Sequence, residues 1–323
     1  MKALVCKNFG EQMQIGELPK PVPNANQVLI SVKTCGLNFP DFLMVQGKYQ
    51  VRPNLPFAAG AEVAGTVLAF GENVKNLQIG QAVFAATLYG GLAEQVLADA
   101  YKVFPIPQQM DFQTAAAISV TYGTVFHALF DRANLQKNET LLVLGAAGGI
   151  GEASIQLAKM AGATVIACAS TAEKLDLCKK NGADHLINYQ SEDFRAKIKE
   201  ITNNKGVDVV IDPVGGNFTE LALRSLAWKG RHLIVGFTMG EIPKIPMNLV
   251  LLKGCQIMGV FWTDFVTRES QKNIENFEKM FPLFANKTLN PTLEIIDSLE
   301  NADAALTKIS QRKALGKIVV NLM

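Results

Sequence analysis

The chain has 323 residues, of which 49% are hydrophobic and 19% charged, with a formal net charge of +2. That composition belongs to a globular protein with a sizeable core rather than a disordered chain, and the length suggests two domains. With no basic run and no apolar stretch of about 18 residues, neither a nucleic-acid partner nor a membrane span is expected.

The first third is punctuated by Pro and Gly. Short apolar runs, "KALVC", "QVLISVKT", "AEVAGTVLAFG", "QAVFAA" and "LAEQVLA", alternate with turn segments such as "PKPVPNANQ" and "FGENVKN". The spacing predicts strands of a partly open antiparallel barrel. One helix is predicted over residues 38–46, with Asn38 at its cap and Pro40 in its first turn.

After Asp111 the period changes. "DFQTAAAISVTYGTVFHALFDRA" reads as one helix, and from Thr140 short apolar strands alternate with amphipathic helices. This alternation predicts a parallel sheet covered on both faces. A further strand begins near Gln256, followed by a long helix, a shorter one and a closing strand, "GKIVVNLM".

The strand-turn-helix "TLLVLGAAGGIGEASIQLAKMAG" carries the clearest chemistry. Dinucleotide turns need Gly where the backbone meets a pyrophosphate and where helix packs on strand, and a helix N-terminus favours phosphate. Gly148 and Gly151 take those places, with Ala147, Gly149 and Ile150 completing the cradle. Ala146 stands where the first Gly is usual, and Gly145 can make the turn. At the end of the next strand, an NAD site wants a carboxylate for the ribose 2′-hydroxyl. Here Ser170 and Thr171 offer hydroxyls and Lys174 a positive charge, which predicts NADPH. Thr171 can also cap the following helix. Tyr189, after the third strand, is placed against the adenosine end.

Catalytic zinc needs three close ligands. His127, His185 and His232 are scattered, with no HxxxH and no GxSxG elbow, so no metal site is expected. The five cysteines are also scattered, which argues against a disulfide framework and for a reducing compartment. The N-terminus lacks the apolar core of a signal peptide, so a cytoplasmic protein is expected. A cofactor cradle without an acid-base triad suits hydride transfer.

The segments "CGLNFPDFLMVQGKY", "PFAAGAEVAGTV", "AISVTYGTVFHAL", "GAAGGIG" and "ALGKIVV" resemble the zinc-free quinone oxidoreductase (zeta-crystallin-like) branch of the medium-chain dehydrogenase/reductase superfamily. The resemblance spans essentially the whole chain. It implies a central Rossmann-type doubly wound parallel sheet (residues 119–262) plus a GroES-like catalytic domain (residues 1–118 and 263–323). Where zinc alcohol dehydrogenases have a ligand Cys, this chain has Asn38, and their Gly-His-Glu is Gly60-Ala61-Glu62. Two metal ligands are therefore missing, leaving Glu62 alone.

The resemblance also implies site residues. Asn38 and Tyr49 would line the substrate cleft, with Asp41 of the same segment as a further candidate catalytic group. Thr121 and Thr124 would lie near the nicotinamide. Gly215, Gly236, Phe237, Phe261 and Trp262 fall in later cofactor-contact segments, and Lys317 would approach the cofactor from the other domain. Leu43 replaces a Tyr frequent in this branch. The implied activity is NADPH-dependent reduction of a quinone or another conjugated carbonyl. The alternative is reduction of an enoyl thioester double bond, with a Tyr49-like phenol near the carbonyl. The strand "QIMGVFW" is expected to pair with its twin in a homodimer.

Overall fold

The computed structural model describes residues 1–322 and divides the chain into two compact units. Unit 1 comprises Met1–Val120 and the chain from Asn290 onward; unit 2 is Thr121–Leu289.

Unit 1 grows from alternating runs. In order it holds β1 (Lys2–Cys6), β2 (Gln14–Glu17), β3 (Gln27–Gly36), α1 (Phe39–Val45), β4 (Phe57–Ala58), β5 (Glu62–Phe70), β6 (Ala82–Ala86), β7 (Gln95–Asp99), β8 (Val103–Pro105), α2 (Phe112–Ala115) and the start of α3 (Ser119–Phe126). Every second residue of β3 is buried, as a strand with one face on the core requires. β3 pairs antiparallel with β5 and β7, and β5 passes the sheet on to β6 and β8. A separate small sheet has the order β2-β1-β4.

Unit 2 carries the parallel sheet. Its elements are β9 (Thr140–Val143), α4 (Gly149–Met160), β10 (Thr164–Ala169), α5 (Ala172–Lys180), β11 (His185–Asn188), α6 (Phe194–Ile201), β12 (Val207–Asp212), α7 (Asn217–Arg224), β13 (Leu226–Ile234), α8 (Met247–Lys253), β14 (Gln256–Gly259), α9 (Trp262–Arg268) and α10 (Ser270–Ala285). The six strands are parallel in the order β11-β10-β9-β12-β13-β14. Counted along the chain this is 3-2-1-4-5-6, the doubly wound dinucleotide-binding order. β10 and β12 are almost wholly buried, which explains their continuous apolar runs. The chain then returns to unit 1 as β15 (Leu293–Ile296), α11 (Ala302–Ser310) and β16 (Lys317–Asn321), with β16 antiparallel to β3 and parallel to β15.

Three expectations change. Residues 263–289, read from the sequence as part of the GroES-like domain, pack within unit 2. The reason is local: the Phe265 ring stacks on His127 at 3.8 Å, Phe284 meets Tyr122 edge-on at 4.9 Å, and Asn276 donates to Asp131 at 2.7 Å. The expected single helix after Asp111 is broken into α2, α3 and a π-helical turn over His127–Arg132. Its apolar run is continuous, so periodicity carried no sign of the break. The short strands β2, β4, β8 and β15 and the helix α8 were not expected either; each is too brief for a period to register.

Candidate functional site

The glycine turn leaves β9 and enters α4. Gly145 has φ +59°, a left-handed conformation that Ala146 would adopt only with strain, so the turn sits one residue earlier than in the usual pattern. Gly148 is the N-cap of α4. A Cβ added at Gly148 would meet only the Gly145 carbonyl, at 3.7 Å, whereas one at Gly151 would press on that carbonyl at 2.4 Å and on Ala146 at 2.5 Å. The first therefore leaves backbone open to a ligand and the second lets helix close on strand, the two duties a pyrophosphate cradle assigns to its glycines. Ala147 is buried under the turn, while Gly148, Gly149 and Ile150 are partly exposed.

β10 ends beside this turn. Lys174 Nζ lies 3.4 Å from Ser170 Oγ, and Thr171 caps α5 by accepting from the Lys174 N–H at 3.3 Å. Hydroxyl and ammonium are thus gathered where a carboxylate would otherwise stand. Tyr189 follows β11 and hydrogen-bonds through its N–H to the Ala169 carbonyl; its ring packs on Phe218 with centroids 4.7 Å apart.

At the carboxyl ends of β12 and β13, Gly215 (φ +75°) lies against Phe237, and Gly236 donates to the Asp212 carbonyl. Phe261 is half exposed. Trp262 is buried over Gly123 of α3, where a Cβ would strike the indole at 2.7 Å, and its Nε1 has no hydrogen-bond partner. Thr121 and Thr124, on the same helix, are buried.

Unit 1 gathers the remaining candidates around Glu62, which is 0% exposed. Its Oε1 accepts from Asn38 Nδ2 at 2.9 Å and from the Lys317 ammonium; its Oε2 accepts from Ser119 Oγ at 2.7 Å and the Val120 N–H at 2.9 Å. Lys317 Nζ also donates to Asn38 Oδ1 at 2.6 Å. A buried carboxylate needs a compensating charge and full hydrogen bonding, and this one has both. Tyr49 is partly buried against the apolar core of the unit.

This geometry shows the surroundings of three residues assigned from the sequence. Asn38 does not present a spare donor: Nδ2 is directed at Glu62 and at the Gly36 carbonyl (3.5 Å), and Oδ1 is taken by Lys317. Lys317 is 3% exposed, and its ammonium is bound to Glu62 and Asn38. Asp41 braces the start of α1. Completely buried, it reaches back from the first turn of α1 to the Asn38 N–H at 2.7 Å, and its other oxygen accepts from the Gly60 N–H at 3.2 Å. Burial pushes its carboxyl up to about 7, against the pull of the Asn38 and Gly60 N–H groups and of Lys317. Among the described residues no group of three His, Cys, Asp or Glu side chains could hold a metal ion, and the five cysteines are free and buried.

Sequence reasoning passed over the ionic partner of Glu62 and also the Asp212–His232 pair. A signal existed for each: a lone Lys opening the buried run "KIVV", and an Asp three residues before two consecutive glycines in "DPVGG".

Comparison with known proteins agrees with this architecture. Residues 24–108 match the family described as alcohol dehydrogenase GroES-like domain, and residues 149–286 that described as zinc-binding dehydrogenase. The chain is 36% identical to a quinone oxidoreductase-like protein 2 homolog of Nematostella vectensis, over 99% of this chain and 88% of that one. It is 34% identical to a quinone oxidoreductase of Sus scrofa, over 100% and 98%. The structure of an Escherichia coli quinone oxidoreductase complexed with NADPH superposes with a TM-score of 0.92 at 27% identity, covering 99% of this chain and 100% of that one. The fold and the cradle define an oxidoreductase of the dinucleotide-dependent class. Within that class the chain belongs to the medium-chain dehydrogenase/reductase superfamily, in its quinone oxidoreductase branch.

Proposed function

We propose that the protein is a zinc-independent oxidoreductase that binds NADPH and delivers its hydride to a quinone or another conjugated carbonyl. The observation that carries this is the pairing of the α4 phosphate cradle with the Ser170–Lys174 hydroxyl-ammonium pair at the end of β10. Charge-assisted bonds to a 2′-phosphate are available there, and no carboxylate of β10 opposes them.

When bound, NADPH supplies the hydride. The chain's own groups then have separate duties. The N–H groups at the start of α4 would hold the pyrophosphate, and Ser170 and Lys174 would hold the 2′-phosphate. The Gly215, Gly236 and Phe237 loops, with Thr121, Thr124, Phe261 and Trp262, support the nicotinamide end. Tyr49 would donate a hydrogen bond to an acceptor oxygen that gains negative charge. Asn38, which donates to Glu62 and accepts from Lys317, would keep its segment in place.

Zinc independence is supported by the Lys317 ammonium, which bonds to both Asn38 and Glu62, two of the three positions matching the metal-binding segments of zinc alcohol dehydrogenases. A homodimer is supported by the edge strand β14 and by exposed Trp228, Met247, Leu251, Leu252 and Ile257 in unit 2. A cytoplasmic setting is supported by the five buried thiols.

The test is a steady-state screen of metal-stripped protein with NADPH and NADH in parallel, against quinones, enones and a crotonyl thioester. Quinone turnover with a strong NADPH preference is expected. Turnover of the thioester alone would move the reading to a double-bond reductase, and loss of activity restored by zinc would end the zinc-free assignment.

A further inference from the structure

Beneath the loops at the carboxyl edge of the unit 2 sheet lies a sealed polar cluster. Asp212 ends β12 and is buried. Its Oδ1 accepts from the Val214 and Gly215 N–H groups, both at 2.9 Å. Its Oδ2 accepts from Thr219 Oγ1 at 2.6 Å and lies 3.2 Å from His232 Nε2. The carboxyl is held below the usual carboxylate range: burial pulls upward, but His232, the Gly215 N–H and Thr219 outweigh it. An ionised carboxylate only accepts, so His232 donates through Nε2; its Nδ1 is buried without a partner.

The same residue also holds the second loop. The Asp212 carbonyl accepts from Val235 at 2.9 Å and Gly236 at 3.3 Å. The two loops are then joined directly by Thr238 N–H to Pro213 O (3.1 Å), Met239 N–H to Val214 O (2.9 Å) and Gly216 N–H to Glu241 O (3.1 Å). Side chains leave no slack, since a Cβ on Gly215 would sit 2.8 Å from the Phe237 ring and one on Gly216 2.7 Å from Met239 Sδ. Val214 in turn abuts the glycine turn, 2.9 Å from where a Cβ on Gly145 would lie. The loops after β9, β12 and β13 therefore form one body, and Asp212 touches two of them, the β12 loop through its carboxylate and the β13 loop through its main-chain carbonyl, while the carboxylate also meets His232 of β13.

We propose that Asp212, oriented by Thr219 and His232, is a positioning residue for nicotinamide-dinucleotide binding, fixing the two-loop platform against the glycine turn. This rests on the reading that these loops take such a cofactor. In the sheet, β9 separates β12 from β10, the strand that Ser170 follows, so Asp212 acts on the part of the cofactor that NADPH and NADH share. Its loss weakens both equally, unlike loss of Lys174, which touches NADPH alone.

The experiment measures dissociation constants for NADPH and NADH by calorimetry on the full chain, with melting temperatures recorded alongside. Asp212→Asn should raise both constants by the same factor, tenfold or more. Because that variant can fail to fold, Thr219→Val and Thr219→Ser form the second arm. The valine, lacking the hydroxyl, should raise both constants severalfold, and the serine, which keeps it, should restore them. Wild-type constants in Thr219→Val with a lowered melting temperature would reduce the cluster to a structural plug and overturn the proposal, as would a loss confined to NADPH. Absence of binding by wild-type protein would sink the cofactor reading and this one together. The choice of acceptor does not enter these measurements, so a failed quinone assay leaves the proposal standing.

Discussion

Replacing Lys317 with Met tests whether an internal ion pair, rather than packing alone, holds unit 1 together. Met keeps an unbranched stem of similar length, so the change removes chiefly the ammonium. Glu62, which has no exposed surface, would keep Asn38, Ser119 and Val120 as donors but lose the countercharge that Lys317 supplies, and Asn38 Oδ1 would lose the Lys317 donor. Breaking a buried pair from one side costs about 3–5 kcal/mol, because the remaining charge stays desolvated. For a unit of this size that lowers the melting temperature by roughly 10 °C. Both tryptophans, Trp228 and Trp262, lie in unit 2, so their fluorescence does not report unit 1 directly. Hydrogen exchange read peptide by peptide is the suitable assay, and protection should fall in β3, β5 and β16 before it falls in β9–β13. The double variant Glu62→Gln/Lys317→Met removes both charges and should be less destabilised than the sum of the two single changes, by about 1–3 kcal/mol. A Lys317→Met cost under about 1 kcal/mol, or strictly additive singles, would refute the argument that this pair bears on stability.

Other outcomes follow from the same geometry. Gly148→Ala should leave the melting temperature unchanged but weaken NADPH binding at least tenfold, about 1.4 kcal/mol, whereas Gly151→Ala should destabilise the fold by about 1–3 kcal/mol because its methyl meets backbone; calorimetry and thermal melts separate the two. Ser170→Asp and Lys174→Ala should each raise the NADPH dissociation constant about tenfold while leaving NADH within about twofold, and equal losses for both cofactors would remove this pair from 2′-phosphate recognition. Asp41 has a folded-state value near 7, above its unfolded value, so the folded state binds the proton more tightly. Its contribution is complete at pH values below the unfolded one and is lost as pH rises to about 7. Urea denaturation between pH 4 and pH 7.5 should show wild-type stability falling relative to Asp41→Asn, and a difference independent of pH would contradict the shifted value.

The parallel sheet could be read from the chain because its signals are local. The runs that became β9, β10 and β12 are apolar because both faces of a covered sheet are buried, and α4 shows its stripe within a few turns. The cradle at Gly148 and Gly151, the hydroxyl-ammonium pair at Ser170 and Lys174 and the cap at Thr171 likewise depend on residues a few positions apart. The fate of the charges in unit 1 was not local. Lys317 meets Asn38 across 279 residues and Glu62 across 255, and only the pairing of β16 with β3 brings them together. That pairing makes Asn38 and Lys317 members of a buried network, beside which Asp41 braces α1 and Gly60. The boundary at Leu289 was likewise settled by α10, whose amphipathic face would fit either unit by pattern and finds Tyr122 and Asp131 in unit 2. Periodicity and turn chemistry act over a few residues and are written along the chain. Which buried charge meets which depends on desolvation being offset by a partner, and strand order alone decides whether that partner arrives.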